Sequence, residues 1–123
     1  MRLLLDTHVL IWWDEGESLS KRAADAIRRA DQVYVSAVTG WEIAIKASLG
    51  RIETTRSMAV ATAESGFEEL PVRLAHAEAL ASLPPHHRDP FDRMLVSQAL
   101  AEGLTLVTRD RALRDYGVKL LGA

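Results

Sequence analysis

Apolar residues in this chain fall into short runs that alternate with longer segments of helical periodicity. Leu3, Leu4 and Leu5 form a run that is too short for a helix and is typical of a strand buried on both faces. Further strands are predicted at residues 33–35, 67–72, 104–108 and 118–121.

The segments between these runs carry helix signals. Ser36 is placed to cap a helix that has apolar residues at helical spacing and ends at Gly50, and Asp89 followed by Pro90 begins another that ends at Gly103. Shorter helices are predicted at residues 7–14, from a cap at Ser18 or Ser20 to about 30, and at 57–65, 74–83 and 111–116. This alternation predicts an α/β fold in three layers, α/β/α, with a central, mainly parallel twisted sheet between helices.

Composition limits the classes of protein that fit. The 123 residues are 48% hydrophobic and 26% charged, which is typical of one ordinary globular domain spanning 1–123. The absence of cysteine excludes disulfides, cysteine zinc sites and thiol nucleophiles. No apolar stretch is long enough to span a membrane, and Asp6 interrupts the initial apolar run too early for an export signal. We therefore expect a cytoplasmic protein.

Four carboxylates lie directly after predicted strands or early in predicted helices. They are Asp6, Glu42, Asp92 and Asp110. Because ligands of parallel sheets bind at the carboxyl ends of strands, we expect these acids to meet at one edge. Left alone they would repel each other, so a hard cation such as Mg²⁺ or Mn²⁺ is expected between them. Such an ion can activate water against a phosphodiester, which is nuclease chemistry.

Each acid also has a purely structural interpretation. Asp6 and Asp110 could simply cap the helices that follow them. Glu42 could complete a capping box with Thr39 or pair with Lys46 one helical turn later.

Asp89 and Asp92 compete for one role at the start of the same helix. Asp89 precedes Pro90 and is placed to cap the helix, so the metal role goes to Asp92. Only the coincidence of four acids favours a site.

Other polar and aromatic residues give weaker signals. His86 and His87 are interpreted as a solvated loop, because adjacent histidines without a helical partner rarely build a metal site. Trp12 and Trp13 are expected to be mostly core, with one partly outward and available to a dimer contact. Several arginines flank the acids and could hold phosphate or neutralise them: Arg88, Arg93, Arg109 and Arg111.

Four motifs, in this order and spacing, resemble the PIN domain, and within it the toxin subunits of VapBC-type toxin–antitoxin modules. The motifs are LLLDTH at 3–8, SAVTGWEI at 36–43 with Gly50 downstream, DPFDRML at 89–95 and LVTRD at 106–110. The resemblance covers nearly the whole chain. It implies a PIN-like fold and a metal-dependent endoribonuclease.

The resemblance also implies residue roles and partners. Asp6, Glu42, Asp92 and Asp110 would form the catalytic Mg²⁺ or Mn²⁺ site, with Thr7 and Thr108 in support. By their positions in the sequence, Asp89 is expected to support the site, and Arg93 and Arg109 are expected on substrate phosphate. The protein would cleave RNA, form a homodimer, bind a VapB-type antitoxin, and reach operator DNA only through that complex.

Two other classes remain as alternatives. A phosphatase or phosphotransfer domain would use Asp6 as nucleophile, but His8 stands where haloacid-dehalogenase-like enzymes have a second aspartate. A non-catalytic interaction module could use the same fold.

The net charge of −2 gives no broad basic surface for RNA. Without the four site acids the chain has 15 bases and 13 acids, so phosphate binding would depend on cations focused at one edge.

Overall fold

Five parallel strands form one sheet in the order β3-β2-β1-β4-β5. The computed structural model describes residues 1–123. The strands are β1 Arg2–Leu5, β2 Gln32–Ser36, β3 Glu68–Leu70, β4 Thr105–Thr108 and β5 Leu120–Gly122. The order places β1, the first strand, in the middle of the sheet, and this explains why its three leucines are fully buried.

Six α-helices and one 3₁₀ helix connect the strands. They are α1 Thr7–Glu15, α2 Lys21–Arg29, α3 Ala37–Ser48, α4 Met58–Glu64, α5 Leu74–Leu80, α6 Pro90–Glu102 and the 3₁₀ helix Arg111–Tyr116. No helix combines the length and the apolar character needed to cross a membrane. The predicted α/β class and parallel sheet are confirmed, with small shifts at the ends of β3, α5 and β5.

Two apolar clusters lie on opposite faces of the sheet. Leu3 and Leu5 pack with residues of α1, α2 and α4 on one face. Leu4 packs on the other face with residues of α6 and the 3₁₀ helix. Successive side chains of a strand point to opposite faces, so one apolar run supplies both clusters and produces three layers.

Helix α3 departs from the usual arrangement of an amphipathic helix. The apolar residues Trp41 and Ile45, and Leu49 just after the helix, are exposed, whereas Val38, Thr39 and Glu42 are buried. The buried side carries the polar Thr39 and Glu42 because it faces the carboxyl ends of the strands. The exposed residues Trp41, Ile45 and Leu49 are called the α3 stripe below.

Candidate active site

The acids predicted to meet do so in a cleft at the carboxyl ends of β1, β2 and β4. All four lie in its wall together with one further acid, two cationic side chains and two aromatic or imidazole rings. The lining residues are Asp6, His8, Trp12, Glu42, Lys46, Asp89, Asp92, Arg109 and Asp110. The parallel order brings these positions together although they are up to 104 residues apart in the chain.

Asp6 is held from both sides of its carboxylate. One oxygen accepts the backbone N–H of His8 at 2.8 Å and so caps α1, and the other accepts the hydroxyl of Thr108 at 2.6 Å. The same Thr108 oxygen accepts the backbone N–H of Asp110 at 3.1 Å. Thr108 therefore joins the acid that follows β1 to the acid that follows β4.

Glu42 is buried, with 3% of its surface exposed. Thr7 donates its hydroxyl to Oε1 at 2.6 Å, and Lys46 pairs with Oε2. Ser36 is the N-cap of α3, so the capping box between Thr39 and Glu42 does not form, whereas the pair with Lys46 does. The pKa of Lys46 is raised, chiefly by its hydrogen bond to Glu42. Glu42 is thus held in the wall of the cleft by one hydroxyl and one ammonium group.

Asp89 and Asp92 have different surroundings at the start of α6. Asp89 accepts the backbone N–H groups of Phe91 at 2.8 Å and Asp92 at 3.1 Å, which confirms its capping position. The Asp92 carboxylate accepts no hydrogen bond within the chain. Burial, followed by repulsion from Asp89 and Asp6, raises the pKa of Asp92 to about 7. Asp92 is therefore the acid whose ionised form a nearby cation would stabilise most.

The carboxylate of Asp110 caps the 3₁₀ helix that follows it and also contacts an imidazole ring. Its Oδ1 accepts the backbone N–H of Ala112 at 3.0 Å, and its Oδ2 lies 2.9 Å from Nε2 of His87. That nitrogen is 3.8 Å from Oδ2 of Asp92.

His87 is a site residue that the sequence did not reveal. The solvated-loop interpretation is wrong for His87, although it holds for the exposed His86, whose ring packs beside Tyr116. Its position in the sequence could have indicated a place near the acids, because His87 lies two residues before the N-cap of the helix that carries Asp92.

The two arginines expected on phosphate lie in different places. Arg109 stands over the Trp12 ring, with its guanidinium carbon 3.9 Å from the ring centre, at the wall of the cleft. Arg93 instead donates to the carbonyl of Pro84 at 2.9 Å and to the Tyr116 hydroxyl at 3.2 Å. Those bonds hold the loop before α6, so Arg93 is corrected from a phosphate contact to a loop anchor.

The two adjacent tryptophans are both half-buried. Trp12 forms part of the cleft wall, whereas Trp13 packs against Phe67 and donates its indole N–H to Ser65 at 3.1 Å. The large exposed aromatic is Trp41.

The side chains around the cleft fit a hard divalent cation. Glu42 has Lys46 as a partner, but Asp6 and Asp89 have no basic side chain paired with them, and Asp92 has only the His87 imidazole at 3.8 Å. The ligand atoms of His87, Asp92 and Asp110 lie within 4.8 Å of one another. Carboxylate oxygens without cysteine are the donor set that Mg²⁺ and Mn²⁺ prefer.

Comparison with known proteins agrees with the fold. The sequence profile described as PIN domain matches residues 3–119. The chain is 36% identical to Ribonuclease VapC22 of Mycobacterium tuberculosis over 122 residues, covering 93% of this chain and 91% of that protein.

Solved structures with similar folds include two VapBC assemblies. VapBC2 of Rickettsia felis, bound to a DNA fragment from its promoter, has a TM-score of 0.73 at 14% identity and 99% and 98% coverage of the two chains. VapBC-5 of Mycobacterium tuberculosis has a TM-score of 0.61 at 25% identity, with 98% and 96% coverage.

Proposed function

This chain belongs to the PIN domain family, and we propose that it is a metal-dependent endoribonuclease acting as the toxin of a VapBC-type toxin–antitoxin module. The observation that carries the proposal is the convergence of Asp6, Glu42, Asp92 and Asp110 on one cleft. The similarity of this chain to a protein named as a ribonuclease supports RNA as the substrate. Phosphodiester hydrolysis is the reaction for which clustered carboxylates with no cysteine nucleophile are suited.

Mg²⁺ or Mn²⁺ is the proposed cofactor. Asp6, Glu42, Asp92 and Asp110 would hold it, and when bound it would supply an activated water and offset charge on the phosphate. The raised pKa of Asp92 supports this assignment, because a nearby cation would return that carboxyl to its ionised form.

The supporting threonines keep the acids in position. Thr7 and Thr108 are both buried, and their hydroxyls donate to Glu42 and Asp6 respectively. Each bond fixes one carboxylate oxygen and leaves lone pairs for a further contact. Asp89 acts one step away, since its capping bonds hold the first turn of α6 and with it Asp92.

Arg109 is the proposed phosphate contact. Its exposed guanidinium lies against Trp12 at the cleft, and no carboxylate is paired with it. A guanidinium held over the face of an indole keeps N–H groups free for charge-assisted bonds to phosphate oxygens.

A homodimer and a VapB-type antitoxin are the proposed protein partners, with operator DNA bound only through the complex. The VapBC assemblies among the structural relatives support this part of the proposal. The α3 stripe adds a physical reason, because exposed apolar side chains on one helix face are typical of surfaces that another protein covers.

The decisive test is cleavage of single-stranded RNA by the wild type and by Asp6→Asn. We expect the wild type to require Mg²⁺ or Mn²⁺ and the variant to lose at least about 100-fold in rate, since one electrostatic group in a site is worth that much. Asp25→Asn on α2 is the matched control, because Asp25 pairs only with exposed Arg28. Equal cleavage by Asp6→Asn, or full activity in a chelator, would refute the proposal.

A further inference from the structure

His87 lies in the loop before α6, and three separate contacts hold it there. Its backbone N–H donates to the Tyr116 hydroxyl at 2.8 Å, and its Nδ1 accepts the backbone N–H of Asp89 at 3.1 Å. Its Nε2 lies 2.9 Å from Oδ2 of Asp110. These contacts fix both the position and the orientation of the ring.

The contact with Asp89 determines which ring nitrogen carries the proton. Nδ1 accepts an N–H, so its lone pair is in use and it bears no hydrogen. The proton therefore sits on Nε2, and Nε2 donates to Asp110. A nitrogen that carries a proton has no lone pair to offer a metal ion.

We propose that His87 is a positioning residue for the carboxylate of Asp110 and not a ligand of the metal. The inference rests on the proposed metal centre and adds to it the residue that orients one of the four acids. The proximity of His87, Asp92 and Asp110 resembles a mixed nitrogen and oxygen site, but the bond from Asp89 turns the imidazole into a donor. The donor set around the ion is then oxygen only.

The position of His87 explains why such a donor is needed. Asp92 belongs to α6 and Asp110 follows β4, and Thr108 contacts the backbone of Asp110 but not its side chain. The path from the Asp89 backbone through the ring to Asp110 links the two elements. Carboxylates that hold metals commonly take such hydrogen bonds from outside the ligand set.

An oxygen-only donor set also predicts metal preference. Imidazole favours zinc, copper and nickel, whereas carboxylates and water favour Mg²⁺ and Mn²⁺. If His87 only donates, its removal weakens Mn²⁺ binding without changing the kinds of atom that touch the ion.

The test measures Mn²⁺ binding by calorimetry and by pulsed electron paramagnetic resonance for the wild type, His87→Ala and His87→Gln. We expect His87→Ala to bind Mn²⁺ about 10- to 100-fold more weakly, the range seen when such outer partners are lost. His87→Gln should recover most of the affinity, because its amide N–H can donate to Asp110. The wild-type spectrum should show no nitrogen bound directly to Mn²⁺.

His86→Ala is the matched control, because His86 is the adjacent exposed histidine and touches no acid of the cleft. It should bind Mn²⁺ as the wild type does. Circular dichroism of each variant shows that the fold is retained, and His87→Gln decides the question if His87→Ala does not fold.

Two results would overturn the positioning role alone. One is a direct nitrogen coupling to Mn²⁺ that disappears in His87→Ala, which would make His87 a ligand. The other is wild-type affinity in His87→Ala while Asp6→Asn binds weakly. Equal Mn²⁺ affinity of the wild type and Asp6→Asn would instead overturn the metal centre itself, and the role of His87 with it.

Discussion

Two histidine–carboxylate pairs in this fold have almost the same local geometry. In each, Nε2 lies 2.9 Å from a carboxylate oxygen, of Glu102 for His76 and of Asp110 for His87. In each, Nδ1 accepts a backbone N–H, from Arg73 at 3.0 Å and from Asp89 at 3.1 Å. The two pairs nevertheless lie in different regions of the molecule.

Their surroundings differ in burial and in charge. His76 is 1% exposed, Gln98 also contacts its Nδ1, and Gln98 in turn accepts the hydroxyl of Ser36. Its region is a closed polar network that joins α5, α6 and the end of β2. His87 borders the open cleft, where Asp92 and Asp110 both face its Nε2. The charge of the neighbouring acids, and not the geometry of the histidine–carboxylate pair, therefore distinguishes His87 at the cleft from His76 in the buried network.

The largest expected difference between the pairs is in stability. His76→Ala should lower the free energy of unfolding by about 3 kcal/mol, because it opens a buried space and leaves buried polar partners unpaired. Urea unfolding measures the loss, and calorimetry below the transition should give wild-type Mn²⁺ affinity. His87→Ala should cost less than about 1 kcal/mol, since its ring is partly exposed. Equal losses for the two variants would contradict the distinction.

Asp92→Asn should stabilise the metal-free protein. The unfolded carboxyl ionises near 3.8, but the folded one holds its proton to about pH 7, so ionisation costs stability as pH rises through that window. At pH 8 the variant should gain at least about 2 kcal/mol over the wild type, and near pH 3 the gain should vanish.

Urea unfolding at pH 3 and pH 8 in a chelator measures the effect, and saturating Mg²⁺ should reduce or reverse the order of stability. Asp25→Asn serves as the control, because its carboxylate lies outside the cluster of acids. A wild type that is more stable than Asp92→Asn at pH 8 without metal would show that the acids do not repel as described.

Much of this fold could be predicted because its signals are local. Leu3 to Leu5 identify a doubly buried strand, and Asp89 with Pro90 identifies the start of α6 by the geometry of the first turn. The convergence of Asp6 and Asp110 followed from the parallel order, which brings strand ends together. Their proposed role as ligands stays a prediction.

The remaining features depend on contacts between distant segments. His87 contacts Asp110 and Arg93 contacts Tyr116, each across 23 residues of sequence. The local periodicity of the sequence therefore does not predict either contact. The α3 stripe shows a further limit. Periodic apolar residues normally mark the inward face of a helix, but in α3 the buried side is the one that carries Glu42.

The smallest expected effect comes from Glu102→Gln in the closed network. Because Nδ1 of His76 accepts N–H groups, the ring carries its proton on Nε2 and donates to Oε1, a role that an amide oxygen also fills. The unfolding free energy should therefore change by less than about 0.5 kcal/mol. Urea unfolding measures the change, with Glu78→Gln as the control, because Glu78 is an exposed acid on α5.

If His76 were a cation paired with Glu102, the variant would lose more than about 1 kcal/mol, since a buried ion would lose its counter-charge. A small change in Glu102→Gln beside the gain in Asp92→Asn would show that two histidine–carboxylate pairs of the same geometry differ in electrostatics because several acids surround only one of them.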